Sequence, residues 1–185
     1  MNLFMGSEPN NAGADSTAGV DNSAEAVSEQ DLASLRRAIE VSHQSVQHGN
    51  HPFGAVLAGP DGVAALEAEN TVSTASDCTG HAETNLMRLV SRELPASFLR
   101  TATLYTSAEP CAMCAGAIYW GGVGRVVYGL SEEGLLTLTG AHPENPTMSL
   151  PCREVFARGQ RRVEVVGPLL ADEAARAHIG FWHRG

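Results

Sequence analysis

The chain has 185 residues, 43% of them hydrophobic and 18% charged, with a formal net charge of −9 and a pI near 5.2. That length suits one domain with a sizeable core, and the acidic balance argues against a polyanionic partner. No apolar run approaches a membrane span, and the start Met1-Asn2-Leu3-Phe4-Met5 lacks the basic and apolar regions of a signal peptide. The 4 cysteines show no evident disulfide framework and fit a reducing, cytoplasmic setting.

Residues 1–27 read as a disordered leader, because Gly6 to Ala26 is Asn, Ala, Gly, Ser, Asp and Glu with almost nothing to bury. The ordered domain, 28–185, opens at Ser28, whose spacing to Asp31 predicts a capping box. Leu32, Leu35, Ile39, His43 and Val46 then fall on one helical face, and Gly49 ends that helix. Pro52–Ala58 predicts a buried strand, Gly59-Pro60-Asp61-Gly62 a turn, and Val63–Ala68 a returning strand that completes a hairpin. A loop rich in Ser, Thr and Asp runs from Asn70 to Gly80. His81–Glu93 carries Leu86, Leu89 and Val90 at helical spacing, Ala102–Ser107 is a short apolar strand, and Cys111–Trp120 is a helix opened by Pro110. Val123–Tyr128 is a further strand. Residues 129–151 form a long, poorly patterned insert of the kind that serves as a lid. Cys152–Ala157 predicts a short helix, Arg162–Val166 a last strand and Asp172–Phe181 a closing helix. Strands alternating with helices predict a three-layer α/β/α protein around a mixed, five-stranded sheet, with no repeat and no second domain.

The chemistry is concentrated between His81 and Cys114. His81-Ala82-Glu83 and Glu109-Pro110-Cys111-Ala112-Met113-Cys114 supply one imidazole and two thiolates, a donor set that suits tetrahedral zinc and leaves a fourth position for water. Three protein ligands with one open position define a catalytic site and not a structural one. Glu83 is too close to His81 to serve as a further ligand and well placed to move a proton on that water. Neither half is specific alone: H-x-E recurs by chance in helices, and C-x-x-C also marks redox pairs and zinc ribbons. Together they match the H-x-E … P-C-x-x-C signature of zinc-dependent base deaminases. Both halves lie where a connection feeds a helix N-terminus, which favours the thiolate form of the cysteines.

From about Leu32 onward the chain resembles the cytidine deaminase superfamily, in the branch holding bacterial guanine deaminases and tRNA adenosine deaminases. The likeness rests on Asn70, Asp77, the H-A-E triplet, Ala102-Thr103-Leu104-Tyr105 and Glu109-Pro110-Cys111. Pro52-Phe53-Gly54-Ala55 and Gly116-Ala117-Ile118-Tyr119-Trp120 are similar to the guanine deaminases, in which the aromatic of the first segment lines the base pocket. The resemblance implies one zinc ion per chain, Glu83 as proton carrier and a homodimer. Its candidate substrate contacts are Phe53, Asn70, Trp120, Glu132, Glu133 and Trp182, with the Ala82 backbone and the carbonyl of Ser107 or Ala108 on the base edge. Packing is the competing reading for Phe53, Trp120 and Trp182, a turn for Asn70, and a solvated acidic turn for Glu132 and Glu133.

The expected substrate is a free amino-substituted base, guanine or a related purine or triazine. The alternatives are a tRNA wobble adenosine, cytosine or a nucleoside, and, outside enzymes, a zinc-stabilised binding protein on the same fold. Arg153, Arg158, Arg161 and Arg162 are the only basic cluster for RNA phosphates. Glu154 and Glu164 interrupt it, which reads better as a solvated face than as a nucleic-acid surface.

Overall fold

The computed structural model describes residues 27–140 and 142–183. The expected leader lies, Val27 apart, outside them. Ser28 starts the first helix, α1 (Glu29–Gln47). Its hydroxyl accepts from the Asp31 N–H while the Asp31 carboxylate accepts from the Ser28 N–H, so the capping box is formed. β1 (Gly54–Ala58) and β2 (Ala64–Glu69) make the antiparallel hairpin. β3 (Thr103–Ala108) pairs antiparallel with β1, and β4 (Arg125–Leu130) and β5 (Glu164–Val166) continue in parallel. The result is a mixed five-stranded sheet of order β2-β1-β3-β4-β5.

Helices cover both faces. On one, α3 (Ala82–Glu93), α5 (Ala112–Gly121) and α7 (Cys152–Ala157) set Leu86, Ile118 and Phe156 against Leu57, Leu104 and Val126. On the other, α1 sets Leu35 and Ile39 against Val56, Tyr105 and Val127. Neighbouring residues of β1 therefore serve opposite cores, the two-residue period of a strand buried on both sides. Each of the Leu, Ile, Val and Phe side chains among them contributes about 1.5–3 kcal/mol of burial. Gly54 is required by this packing, because a Cβ there would meet the Ala38 carbonyl and the Ser42 nitrogen at 2.5 Å. It lets α1 lie flat on the start of β1.

Several elements depart from the expectation. The loop after β2 contains a single turn, α2 (Val72–Ala75), and a short helix, α4 (Ala96–Thr101), precedes β3. Part of the insert is helical: α6 (Glu132–Thr139) is capped by the Ser131 hydroxyl, which accepts from the Gly134 N–H, and it buries Leu135 beside α1. Gly134 and two threonines, all poor helix formers, hid it. The closing helix is shorter than expected, α8 (Ala171–Ala175), and the chain then runs through turns, with Gly180 at φ +71°.

The capping box reaches across the fold. Asp31 Oδ1 lies 2.6 Å from Arg125 Nη1 at the start of β4 and accepts from the Tyr105 hydroxyl at 2.9 Å. Arg125 also reaches Glu164 on β5 at 3.3 Å. Burial disfavours the Asp31 charge, but Arg125, Ser28 and Tyr105 outweigh it and hold the carboxyl well below the usual range. Its stabilising effect is therefore complete above the unfolded carboxyl value and is lost as pH falls below about 4. Asp31→Asn leaves the part-buried Arg125 with Glu164 as its remaining acid and should cost about 3 kcal/mol in denaturant unfolding at pH 7. The gap to wild type should narrow as pH falls from 5 to 2; a gap that stays constant would mean that the pair is not the cause.

Candidate active site

The ends of β3 and β4 and the start of β1 face the same way, because β3 and β4 are parallel and β1 runs against them. His81 and Cys111 stand at this end as the N-cap residues of α3 and α5. Both have extended backbones, and neither side chain caps its own helix. An N-cap side chain ordinarily turns back onto the first N–H groups; here the imidazole and the thiol are left to point at one another. His81 Nδ1 lies 3.7 Å from Cys111 Sγ and 3.6 Å from Cys114 Sγ. The three donor atoms lie within 4.8 Å of one another, and among the described residues they are the group able to hold a metal ion.

Glu83, on the first turn of α3, is buried beside them. One carboxylate oxygen accepts from the Thr106 hydroxyl at 3.0 Å, and the other lies 3.4 Å from the Cys114 thiol. Burial pushes the Glu83 carboxyl up, as does the neighbouring Cys111. The two cysteines split their behaviour. A hydrogen bond from Cys114, with help from His81, brings Cys111 down to about 4 against the effect of burial, and the same bond pushes Cys114 well up. The bond to Cys111 also raises His81. Cys152 is buried apart from this group and kept as a thiol, by burial first and by the nearby Glu109 carboxylate second.

A cleft of about 350 Å³ opens over this floor and is lined by His81, Cys111, Phe53, Asn70 and Glu132. A larger hollow of about 550 Å³ lies at the opposite end of the sheet, around Asp31 and Arg125, and holds none of these residues. Asn70 is fully buried. Its Oδ1 accepts from the Val72 N–H at 3.0 Å, as a turn-forming Asn would, while its Nδ2 has no partner in the protein. A buried amide donor left free beside a cleft is costly unless something in the cleft accepts from it. Burial pushes Glu132 up to about 7, with the Cys111, Glu109 and Glu83 charges adding to the effect.

Other expected contacts lie elsewhere. Trp120 is 86% exposed and is neither in the core nor at the cleft. The buried side of α5 is Cys114, Ala115 and Ile118, so a residue two places past Ile118 turns outward. Glu133 is exposed on α6, turned away from its neighbour Glu132. The acidic-turn reading therefore fits Glu133 and fails for Glu132. Ser107 is fully buried, and its hydroxyl accepts from the Gly54 N–H at 3.1 Å. Its carbonyl lies against Gly129, where a Cβ would meet it at 2.5 Å, and Ser107 is not among the residues that line the cleft. Ala82 has its methyl in the core between His81 and Glu83, and its N–H belongs to a first turn that offers no intrahelical acceptor. Trp182 is buried behind the cleft wall. It stands 6.3 Å from the Phe53 ring and 5.3 Å from that of His51, and its Nε1–H donates to His178 Nδ1.

Sequence reasoning did not single out His51, Met113, or the insert residues Glu144 to Met148 that complete the cleft. His51 and Glu144 meet across it, with Nε2 and Oε2 3.2 Å apart. For the insert residues the signal was the length of the insert; His51 and Met113 carried none.

A His/Cys/Cys group able to hold a metal, with a buried carboxyl beside it at the end of a mixed α/β sheet, fits one class, and the comparisons with known proteins agree: this is a zinc-dependent aminohydrolase. The profile of the "Cytidine and deoxycytidylate deaminase zinc-binding region" matches residues 28–130. The chain is 43% identical over 159 residues to the probable cytosine deaminase of Schizosaccharomyces pombe, covering 86% of this chain and 96% of that protein. It is 43% identical over 95 residues to the guanine deaminase of Bacillus subtilis, covering 51% of this chain and 60% of that one. A solved structure in complex with 2,6-diaminopurine superimposes with a TM-score of 0.66 at 26% identity, covering 83% of this chain and 82% of that chain. The chain belongs to the cytidine and deoxycytidylate deaminase family.

Proposed function

We propose that the protein hydrolyses the exocyclic amino group of a free heterocyclic base, guanine or a related purine or triazine, with release of ammonia. The observation that carries this reading is Glu83, a buried carboxyl fixed by Thr106 beside the ligand triad and beneath a cleft that receives the free Asn70 donor. The proposed metal is one zinc ion on His81 Nδ1, Cys111 Sγ and Cys114 Sγ. The fit is supported by their separations of 3.6 and 3.7 Å, since a tetrahedral ion with bonds of about 2.0–2.3 Å holds its ligands about 3.5 Å apart. Zinc bound there would acidify a water toward neutrality and so supply the nucleophile.

The residues supply the rest. Glu83 takes the proton that the water gives up and passes it to the ring nitrogen beside the amino-bearing carbon, which makes that carbon electrophilic. It then carries a second proton to the departing nitrogen, so that water and C–NH2 become C=O and NH3. The Asn70 Nδ2 donates to a ring carbonyl, Phe53 lies against the ring face with Trp182 behind it, and Glu132 holds a ring N–H or amino edge. Cytosine is the second reading. It carries the same ring nitrogen, amino carbon and carbonyl, and the Schizosaccharomyces relative matches through the cleft-lining insert as well as the ligands. An RNA substrate is disfavoured by the arginines it would need. Arg153 is committed to the Tyr128 hydroxyl and the Val165 and Gly167 carbonyls, and Arg161 to the Tyr119 and Val123 carbonyls.

A homodimer in the cytoplasm is part of the proposal. Zinc thiolates favour a reducing compartment, and Met113 and Trp120, one above the other on α5, leave an apolar stripe exposed. Trp120→Asp should convert the dimer to monomer in light scattering with zinc retained; an unchanged mass would place the interface elsewhere.

The main test is ammonia release from the zinc protein offered guanine, cytosine, adenine, a triazine such as ammeline, their nucleosides and an anticodon-loop RNA. Turnover on guanine or the triazine is expected. Turnover on the RNA alone would overturn the free-base reading. Glu83→Gln should lower kcat by roughly 1,000-fold or more with zinc content unchanged; loss of zinc in this variant, or surviving turnover, would remove Glu83 from its role.

A further inference from the structure

Glu109 is a buried acid that the reaction above does not use. It is 6% exposed, and among the described residues it forms no salt bridge. Its backbone N–H donates to the Leu130 carbonyl at 2.7 Å, just past the point where β3 and β4 separate. One carboxylate oxygen accepts from the Glu132 N–H at 3.1 Å, and the other accepts from the Cys152 N–H at 3.0 Å. Those two amides open α6 and α7, which are the two ends of the insert that roofs the cleft. Glu109 is not itself among the residues that line the cleft.

A buried carboxylate without a cation is expensive, so its chemistry should be something a neutral residue cannot supply. A carboxylate is acceptor-only and presents two oxygens. It can take an N–H from each of two separate segments, whereas the isosteric amide would turn a donor toward one of them. Two residues further along the same backbone is Cys111. Both feet of the insert, Glu132 with them, thus meet at one side chain on the segment that leads into Cys111.

We infer that Glu109 is a positioning residue, whose carboxylate ties both ends of the insert to the metal-ligand segment and thereby fixes where Glu132 stands against the substrate. This rests on the reading of Glu132 as a substrate contact, and the test separates the two. Glu109→Gln, Glu132→Gln and the double variant are compared in the zinc protein with guanine and cytosine as probes, alongside zinc content and peptide-level hydrogen exchange. Glu109→Gln should lower kcat/KM roughly 10- to 100-fold, divided between KM and kcat as in Glu132→Gln, with zinc unchanged and the amides of 132 and 152 exchanging faster. The double variant should be no worse than Glu132→Gln alone. Losses that multiply, or a Glu109→Gln protein that melts lower yet keeps kcat/KM within about twofold, would overturn the inference. If Glu132→Gln alone leaves turnover intact, the reading of Glu132 fails and the inference falls with its premise. Should Glu109→Gln not fold, Glu109→Asp, which keeps the charge and draws the oxygens back by one methylene, takes its place in the cycle.

Discussion

The site depends on one local conformation used twice. His81 and Cys111 each stand extended at the mouth of a helix, and each withholds its side chain from the cap. Two such residues can share a ligand only if their helices start side by side. α3 and α5 do so because Leu86, Met87, Ala115 and Ile118 bury into the same core. Gly121 leaves the passage through which the Met87 side chain runs between them. The sheet then decides which way both helix mouths face. An uncapped helix start costs about 1 kcal/mol, so the protein gives up local stability at two places where a ligand is wanted.

Electrostatics at that end of the sheet follow from the same crowding. Glu83 and Glu132 are both buried in the neighbourhood of the two cysteines and His81. Acids so placed hold their protons more tightly than acids in water, which suits groups that must give a proton up and take it back near neutral pH. Thr106 orients the Glu83 carboxyl, and the backbone of Glu132 is held through its N–H on Glu109. At the opposite end, Asp31 is as buried but faces Arg125, and its proton is lost instead of kept. One sheet thus carries carboxyls tuned in opposite directions, set by what stands opposite each.

Much of this was legible in the residues. The capping box at Ser28, the apolar runs of β1, β3 and β4, and the ligand motif each carry a short-range pattern with a physical cause. The capping pattern is local, the strands are apolar because they are covered on both sides, and the ligand spacing is imposed by an ion's small radius. What could not be read depended on longer range. Glu132 and Glu133 are adjacent acids in the sequence, and only the start of α6 decides that one is buried and the other exposed. Trp120 belongs to an apolar segment, yet its place on the helix turns it outward. Asn70 had two competing readings and serves the turn with its oxygen while leaving its nitrogen to the cleft. His51 and Glu144 meet across 93 residues of chain, a separation that no periodicity reports.

The outermost strand bears on how molecules of this protein meet. β2 places Glu67 and Glu69 along the margin of the sheet, and both are held toward α1, Glu67 by Arg37 at 2.6 Å and Glu69 by His48 at 2.8 Å. A second strand laid along that margin would have to strip water from these acids and displace their partners. Sheet-to-sheet growth, the route by which an open edge seeds fibrils, is therefore disfavoured by charge at the one long margin left open among the described residues.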